Sequence, residues 1–205
     1  GKTKSGRWGD LVAKDAPPVV FVDSLPPGVA GACVRIDDFA AGREVAQKAS
    51  ALGIAEAVVV VPARDALTLQ ERMAGFQTGA AHAGIKIAAS LPADDPGLVE
   101  LLAAANRPLG VFGPRASALI RPLQSAFAAG RLAPSHTFFS VGEAPEAAFL
   151  PNPWWMLQQP ARDMGRTAAR LVLERIGGDP CDKSTILLPT SWTSNRATAP
   201  SPVLA

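Results

Sequence analysis

Short runs of β-branched and aromatic residues alternate with stretches of helical period along most of the chain. Val58 to Val61 is an unbroken apolar run ended by Pro62, the pattern of a parallel strand covered on both faces. Asp65 is a candidate N-cap for the helix that follows. Its apolar stripe is Leu69, Met73, Phe76, Ala80 and Ala83, and Gly84 stands where a C-cap glycine is expected. Thr68 and Arg72 lie one turn apart on a neighbouring face near the start of that helix. In an α/β protein the carboxyl ends of parallel strands and the helix N-termini border the ligand crevice, which makes these two the first candidate site residues.

Upstream, Gly1 to Gly9 is polar and without period, and DLVAKDA allows a short helix before Pro17 and Pro18. Val19 to Ser24, VVFVDS, reads as a buried strand. Such a strand needs parallel neighbours that nothing before it supplies, so its sheet is expected to be incomplete or finished by residues outside this chain. After the turn-rich LPPGVAG comes a short extended ACVRI. Asp37 or Asp38 then caps a helix with Phe39, Val45, Ala46, Ala49 and Leu52 facing inward, ending at Gly53. Downstream, Ile85 to Leu91 is a strand, and Pro96, behind Asp94 and Asp95, opens a helix with Leu98, Leu101, Leu102 and Ala105 inside. Pro108 to Gly113 is the next strand. Arg115 to Ala129 should be helical, with a kink or interruption at Pro122, which costs about 3 kcal/mol inside a helix. His136 to Gly142 is a further strand and Trp154 to Gln159 is extended. Pro160 opens a helix carrying Ala161, Met164, Ala168, Leu171 and Val172 as far as Gly177 and Gly178. Ser184 to Thr190 is the last strand, with a polar tail behind it. This alternation predicts an α/β fold with parallel, doubly wound sheet.

Composition narrows the class. The 205 residues, 48% hydrophobic and 19% charged with a formal net charge of +2, describe a globular chain of one large or two small domains. Disorder and a nucleic-acid-binding tail are disfavoured, and GKTKSGRWG reads as a solvated flap. No apolar run approaches the roughly 18 residues of a membrane span, and no signal-peptide core opens the chain, so the expected location is cytoplasmic. Cys33 and Cys181 lack any paired spacing and read as reduced, buried thiols. His82 and His136 are isolated, with no metal-ligand or triad pattern; neither an enzyme nor a metal or other cofactor is indicated.

Three segments in this order, VRIDDFAAGREVAQKASALGI, ERMAGFQTGAAHAGI and LQQPARDMGRTAARLVLERIGG followed by ILLPT, resemble the effector-binding domain of LacI/GalR-family transcription regulators. The similarity runs from about Pro17 to Ala199. It implies a periplasmic-binding-protein-like type I fold: two parallel-sheet lobes joined by crossover strands, the first incomplete in this chain, with a small effector in the interlobe cleft. Residues 1–33 would be a remnant of the N-terminal lobe and 34–152 the C-terminal lobe. Residues 153–205 would be a crossover strand, a helix returning to the first lobe, a final strand and a tail. The resemblance implies an effector-binding and dimerisation domain, working as a homodimer and reaching DNA only through a helix-turn-helix outside this chain. The alternatives are a solute-binding protein of the same fold or a decayed ligand site.

The resemblance also assigns site residues. Arg72 matches the effector-contacting arginine of an R-x-x-G-F pattern, and its guanidinium suits vicinal hydroxyls or a carboxylate; otherwise it makes a surface ion pair with Asp65 or Glu71. Thr68 falls where a small hydroxyl residue is common, or bonds locally at the helix start. Gln159 reaches the effector from the crossover strand or caps the next helix. Arg115 and Ala116 stand where the family places Asn-Asp, and Gly142, Glu143, Ala144 and Pro145 where it places Gly-Phe-Asp-Asp. Two acceptors typical of sugar recognition are therefore replaced, and among a sugar, a sugar phosphate or a carboxylate the expected effector is one of the two anions, held by Arg72 and Arg115, and not an ordinary neutral sugar. Trp155 or its neighbour Trp154 could supply a stacking wall, although only one of two adjacent strand residues faces a given side. Glu143 and Glu146 accept hydroxyls or belong to a solvated loop. Asp37 and Asp38 read as a helix cap, not as a catalytic pair.

Overall fold

The computed structural model describes residues 17–63, 66–178 and 185–196. Among these, apolar runs and amphipathic stretches become β1 (Val20–Val22), β2 (Ala32–Arg35), α1 (Asp38–Ala51), β3 (Glu56–Val61), α2 (Leu67–Ala83), β4 (Lys86–Pro92), α3 (Pro96–Ala104) and β5 (Gly110–Gly113). Then follow α4 (Ser117–Ala128), β6 (Thr137–Val141), a short 3-10 turn (Pro145–Phe149), β7 (Trp154–Gln158), α5 (Ala161–Ile176), β8 (Thr185–Leu187) and β9 (Ser191–Ser194). The N-terminal flap and short helix, the candidate cap Asp65, Cys181 and Ser184 lie outside the described residues. No described helix is long and apolar enough to cross a membrane.

The chain divides into two compact units, one of residues 1–37 and 159–190, the other of residues 38–158 and 191–205. The sequence suggests segments 1–33, 34–152 and 153–205; by strand pairing β2 lies between β1 and β8 in the sheet of the first unit, whereas β7 and β9 belong to the sheet of the second.

The first unit contains the parallel sheet β1-β2-β8. Cys33 and Val34 in its central strand are fully buried. The expectation of a buried VVFVDS is corrected: β1 is an edge strand among the described residues, and Val22 is 45% exposed. Helix α5 buries Met164, Ala168 and Leu171, and Arg175 Nη1 donates to the Val19 carbonyl at 2.6 Å.

The second unit holds a six-stranded sheet in the order β4-β3-β5-β6-β7-β9, parallel except for β9, which runs antiparallel to β7. Strand β9 falls in what the sequence suggested was a polar tail; Ser191–Ser194 is short and polar, and its Trp192 pairs in register with Leu157. Alternate residues of the central strands face opposite layers. Val58, Val60, Val111, Phe138 and Trp154 pack with Leu98, Leu102, Leu119 and Leu123 of α3 and α4. On the other face Phe112 stacks on Phe76 of α2, ring centroids 4.4 Å apart. Asp95 caps α3 by accepting from Gly97 N–H at 2.8 Å, with Pro96 in the first helical position, as the sequence predicts. Of the predicted kink or interruption at Pro122, the interruption is not found: helix α4 continues through this buried residue.

Helices α1 and α2 meet more closely than side chains normally allow. A Cβ on Gly42 would lie 2.0 Å from the Arg72 carbonyl oxygen, and one on Gly75 would lie 2.0 Å from that of Phe39. This contact sets the phase of both helices. The buried face of α1 is Asp38, Ala41, Gly42, Val45, Ala46 and Ala49, so the predicted inward Phe39 and Leu52 are instead 38% and 43% exposed. The buried face of α2 is Thr68, Leu69, Arg72, Gly75, Phe76, Gly79 and Ala80; Met73 is half-buried and Ala83 exposed. At its far end Gly84, at φ +70°, forms the expected left-handed cap.

Substituting Gly42→Ala should therefore cost about 3 kcal/mol, the upper part of the usual overpacking range, because backbone must move to admit the methyl group. Urea denaturation would read this as a lower midpoint; an unchanged midpoint would contradict the close crossing.

Candidate functional site

In the six-stranded sheet, β3 pairs with β4 on one side and β5 on the other, so the chain winds away in both directions from the junction of β3 and β5. Ligand crevices of doubly wound sheets form outside the carboxyl ends of strands at such a junction. Helix α2 leaves β3 here and carries Thr68 and Arg72 in its first two turns, 7% and 4% exposed. Arg72 Nε donates to Asp38 Oδ1 at 2.6 Å, and Arg72 Nη1 donates to the carbonyl of Pro114, just past β5, at 3.0 Å. One side chain thereby ties together the start of α1, the start of α2 and the end of β5.

The Asp38 carboxylate is fully buried. Removing two charges from water costs several kcal/mol per ion, so such a pair persists only with direct contact and good hydrogen bonding. Arg72 has both. The ion pair is made with Asp38, a residue that the sequence suggested only as a cap, and not with Glu71 as in the alternative reading; Asp65 lies outside the described residues.

Other predicted residues occupy the same edge of the sheet. Arg115 follows Pro114 and is exposed, while Ala116 N–H donates to the Val141 carbonyl at 3.2 Å, tying the loop after β5 to the end of β6. Gly142, at φ +91°, turns the chain after β6, and Glu143 beyond it is exposed, as is Glu146. The carboxyl edge of this sheet therefore carries Thr68, Arg72, Arg115 and Glu143.

Trp154 and Trp155 divide as adjacent strand residues must. Trp154 is fully buried, donates from Nε1 to Ser140 Oγ at 2.9 Å and packs edge-on against Phe138. Trp155 is half-buried beneath Lys48, whose Nζ lies 4.0 Å from its ring centroid and 5.6 Å from that of Trp192. Trp192 Nε1 in turn donates to Glu44 Oε1 at 2.7 Å. This cation–π arrangement occupies a face of the ring that a stacking ligand would need.

Gln159 belongs to the other unit. Its Nε2 donates to Asp23 Oδ1 at 3.1 Å, and Asp23 adopts φ +74° at the end of β1. A non-glycine residue in the left-handed region is uncommon, and Asp is one of the few that tolerate it. Sequence reasoning overlooked Asp23. The available signal was a polar residue closing an apolar strand.

His136 is fully buried. Leu109 N–H donates to Nδ1 at 3.3 Å, which puts the ring proton on Nε2, 2.9 Å from the Leu102 carbonyl. The exposed His82 bonds the Thr78 carbonyl of its own helix. Among the described residues no group of three His, Cys, Asp or Glu could hold a metal ion. A groove of about 530 Å³ between α3 and α4, lined in part by Asp94, Asp95, Val99, Ser117 and Arg121, lies on the opposite face of the sheet from α2 and contains none of the predicted site residues.

The family profile described as a periplasmic binding protein-like domain matches residues 46–198. Solved structures share the fold at low identity. A LacI transcriptional regulator from Lactobacillus brevis aligns with a TM-score of 0.74 at 15% identity, over 94% of this chain and 76% of its own. A LacI family transcriptional regulator from Enterococcus faecium, with bound ribose, aligns with a TM-score of 0.73 at 19% identity, over 93% and 73%. A carbohydrate transporter solute binding protein from Agrobacterium radiobacter, in complex with D-arabinose, gives 0.71 at 17% identity, over 91% and 71%. No curated protein gives a significant sequence match. These three neighbours are described as regulators or as a solute-binding protein, and at such identity the likeness is one of fold.

Replacing Arg72 with Met would leave the Asp38 carboxylate buried without its cation and should destabilise the fold by about 3–5 kcal/mol. Chemical denaturation measures this directly; a loss below about 1 kcal/mol would mean that the pair does not hold the two helices.

Proposed function

The chain belongs to the periplasmic binding protein-like domain family, and from that premise we propose that it is the effector-binding domain of a LacI-type transcription regulator, taking a small sugar at the carboxyl edge of the six-stranded sheet. The observation that carries this reading is the state of Arg72. Its Nε and Nη1 are engaged by Asp38 and Pro114, whereas Nη2 has no hydrogen-bond partner among the described residues. A guanidinium fixed at two nitrogens and open at the third is suited to a hydroxyl pair on a rigid ring. Thr68 adds a hydroxyl one turn earlier, and the exposed Arg115 and Glu143 contribute a donor and an acceptor from neighbouring strand ends. Trp155, beneath Lys48, is not counted in this set, and Gln159 belongs to the first unit, where it bonds Asp23.

The ligand class is supported by relatives with bound ribose, D-arabinose and D-xylulofuranose. A sugar phosphate or carboxylate would have to rely on Arg115, because the charge of Arg72 already meets Asp38. In the regulator, sugar binding changes the affinity of an attached DNA-binding module, and linkage makes that coupling reciprocal. We place the protein in the cytoplasm as a two-fold homodimer.

A second reading, a solute-binding protein of the same fold, is favoured by the similarity to the carbohydrate transporter protein. Gene sequence upstream of this chain separates the two, since a helix-turn-helix marks the regulator and an apolar signal segment the solute binder.

A thermal-shift screen of pentoses and hexoses should find a sugar that raises the melting temperature. Arg72→Lys, which keeps the charge but loses the planar fork, should weaken that sugar by about tenfold or more, the equivalent of about 1.4 kcal/mol. Equal affinity in a variant with unchanged circular dichroism would remove Arg72 from the site. Light scattering after size exclusion should give twice the chain mass; a monomer at micromolar concentration would contradict the dimer.

A further inference from the structure

We infer that Asp38 is the positioning residue of this site: its carboxylate fixes the plane of the Arg72 guanidinium and offsets its charge, so that a ligand meets an oriented hydrogen-bond donor instead of an unpaired cation. The inference rests on the reading above, in which a small polar ligand meets Arg72.

The geometry argues against a cap alone. A capping carboxylate serves the N–H groups of its own first turn. Asp38 Oδ1 also accepts from the Nε of a residue 34 positions away on another helix, at 2.6 Å. Nε is the nitrogen nearest the aliphatic stem, so bonding there leaves both terminal nitrogens pointing onward. Nη1 is then held by the Pro114 carbonyl, and two anchors on a planar group leave it no rotation. The third nitrogen takes a direction set by the protein before any ligand arrives, which is how supporting residues preorganise a site.

The fold protects this contact. Asp38 and Gly42 lie one turn apart on α1, as do Arg72 and Gly75 or Phe76 on α2, and a Cβ on Gly42 would strike the backbone of Arg72 itself. Any side chain there would push the helices apart and lengthen the ion pair. The electrostatic consequence concerns selectivity. An anionic ligand approaching Nη2 also approaches a fully buried carboxylate that water cannot screen well, whereas an uncharged hydroxyl feels mainly the oriented donor. Arg115 and Glu143, two further charges on this edge, are both exposed and of opposite sign.

The test is titration calorimetry of the whole chain with a panel of pentoses and hexoses and their monophosphates, on the wild type and on Asp38→Asn, which keeps the side-chain size and one acceptor oxygen. The wild type should bind a neutral sugar at least about tenfold more tightly than its monophosphate, and Asp38→Asn should reduce that preference by about tenfold, a change of about 1.4 kcal/mol. A residue that served stability alone would weaken both ligands together and leave their ratio unchanged. Wild type that prefers the monophosphate, or a variant that keeps the wild-type ratio, would overturn the inference while leaving ligand binding at Arg72 in place. Wild type that binds nothing in either panel would overturn the proposed function, and this inference with it. Should Asp38→Asn not fold, NMR of the wild type gives the readout: a slowly exchanging Arg72 Nε–H with and without sugar supports the inference, and a rapidly exchanging one overturns it.

Discussion

Two helices crossing at Gly42 and Gly75, with no room for a Cβ on either, bring the carboxylate of Asp38 against the guanidinium of Arg72. Nearly everything distinctive about the second unit depends on that contact. It sets the rotational phase of α1 and α2, excluding Phe39 and Leu52 from the core and drawing Thr68 and Arg72 into it. Through the Pro114 carbonyl it also reaches the end of β5, so the junction from which the sheet winds in two directions is spanned by one side chain. A buried ion pair contributes little net stability compared with a well-packed apolar replacement, yet it is expensive to break, and it specifies one arrangement of its elements. Here the arrangement leaves one guanidinium nitrogen open at the carboxyl edge of the sheet.

Much of the fold was legible because strand and helix periods differ and their boundaries carry local chemistry. The run at Val58, the Asp95-Pro96 start of α3 and the Gly84 end of α2 each follow from interactions within a few residues, and each is found. What failed was non-local. The inward face of α1 depends on the proximity of α2, which the spacing of Phe39 and Val45 does not encode. Strand β9 is too short and polar to signal itself; it exists because the β7 edge offers unpaired backbone groups and Lys48 offers Trp192 a cation. The buried look of β1 came from its β-branched residues, which do not encode how much of each is covered.

The site was read in outline only. Arg72 was visible as a polar residue beside an apolar stripe, and the strand-end positions of Arg115 and Glu143 follow from the alternation. Its pairing could not be seen, because Asp38 is separated from it in sequence and both carry roles that local chemistry already explains. That pairing changes the chemistry most. Counting Arg72 and Arg115 as two free cations suggested an anionic ligand; with Asp38 against Arg72, the same residues suit a neutral, hydroxyl-rich one. Trp155, similarly, is a stacking surface in sequence and the floor beneath a lysine in the fold.

The central claim is that Asp38 and Arg72 act as one unit at the helix crossing. A double-mutant cycle on folding stability, with Asp38→Asn and Arg72→Met singly and combined, measures it most directly. The account predicts a coupling energy of about 2–3 kcal/mol, the two changes together costing far less than their sum. Additivity within about 0.5 kcal/mol would contradict it.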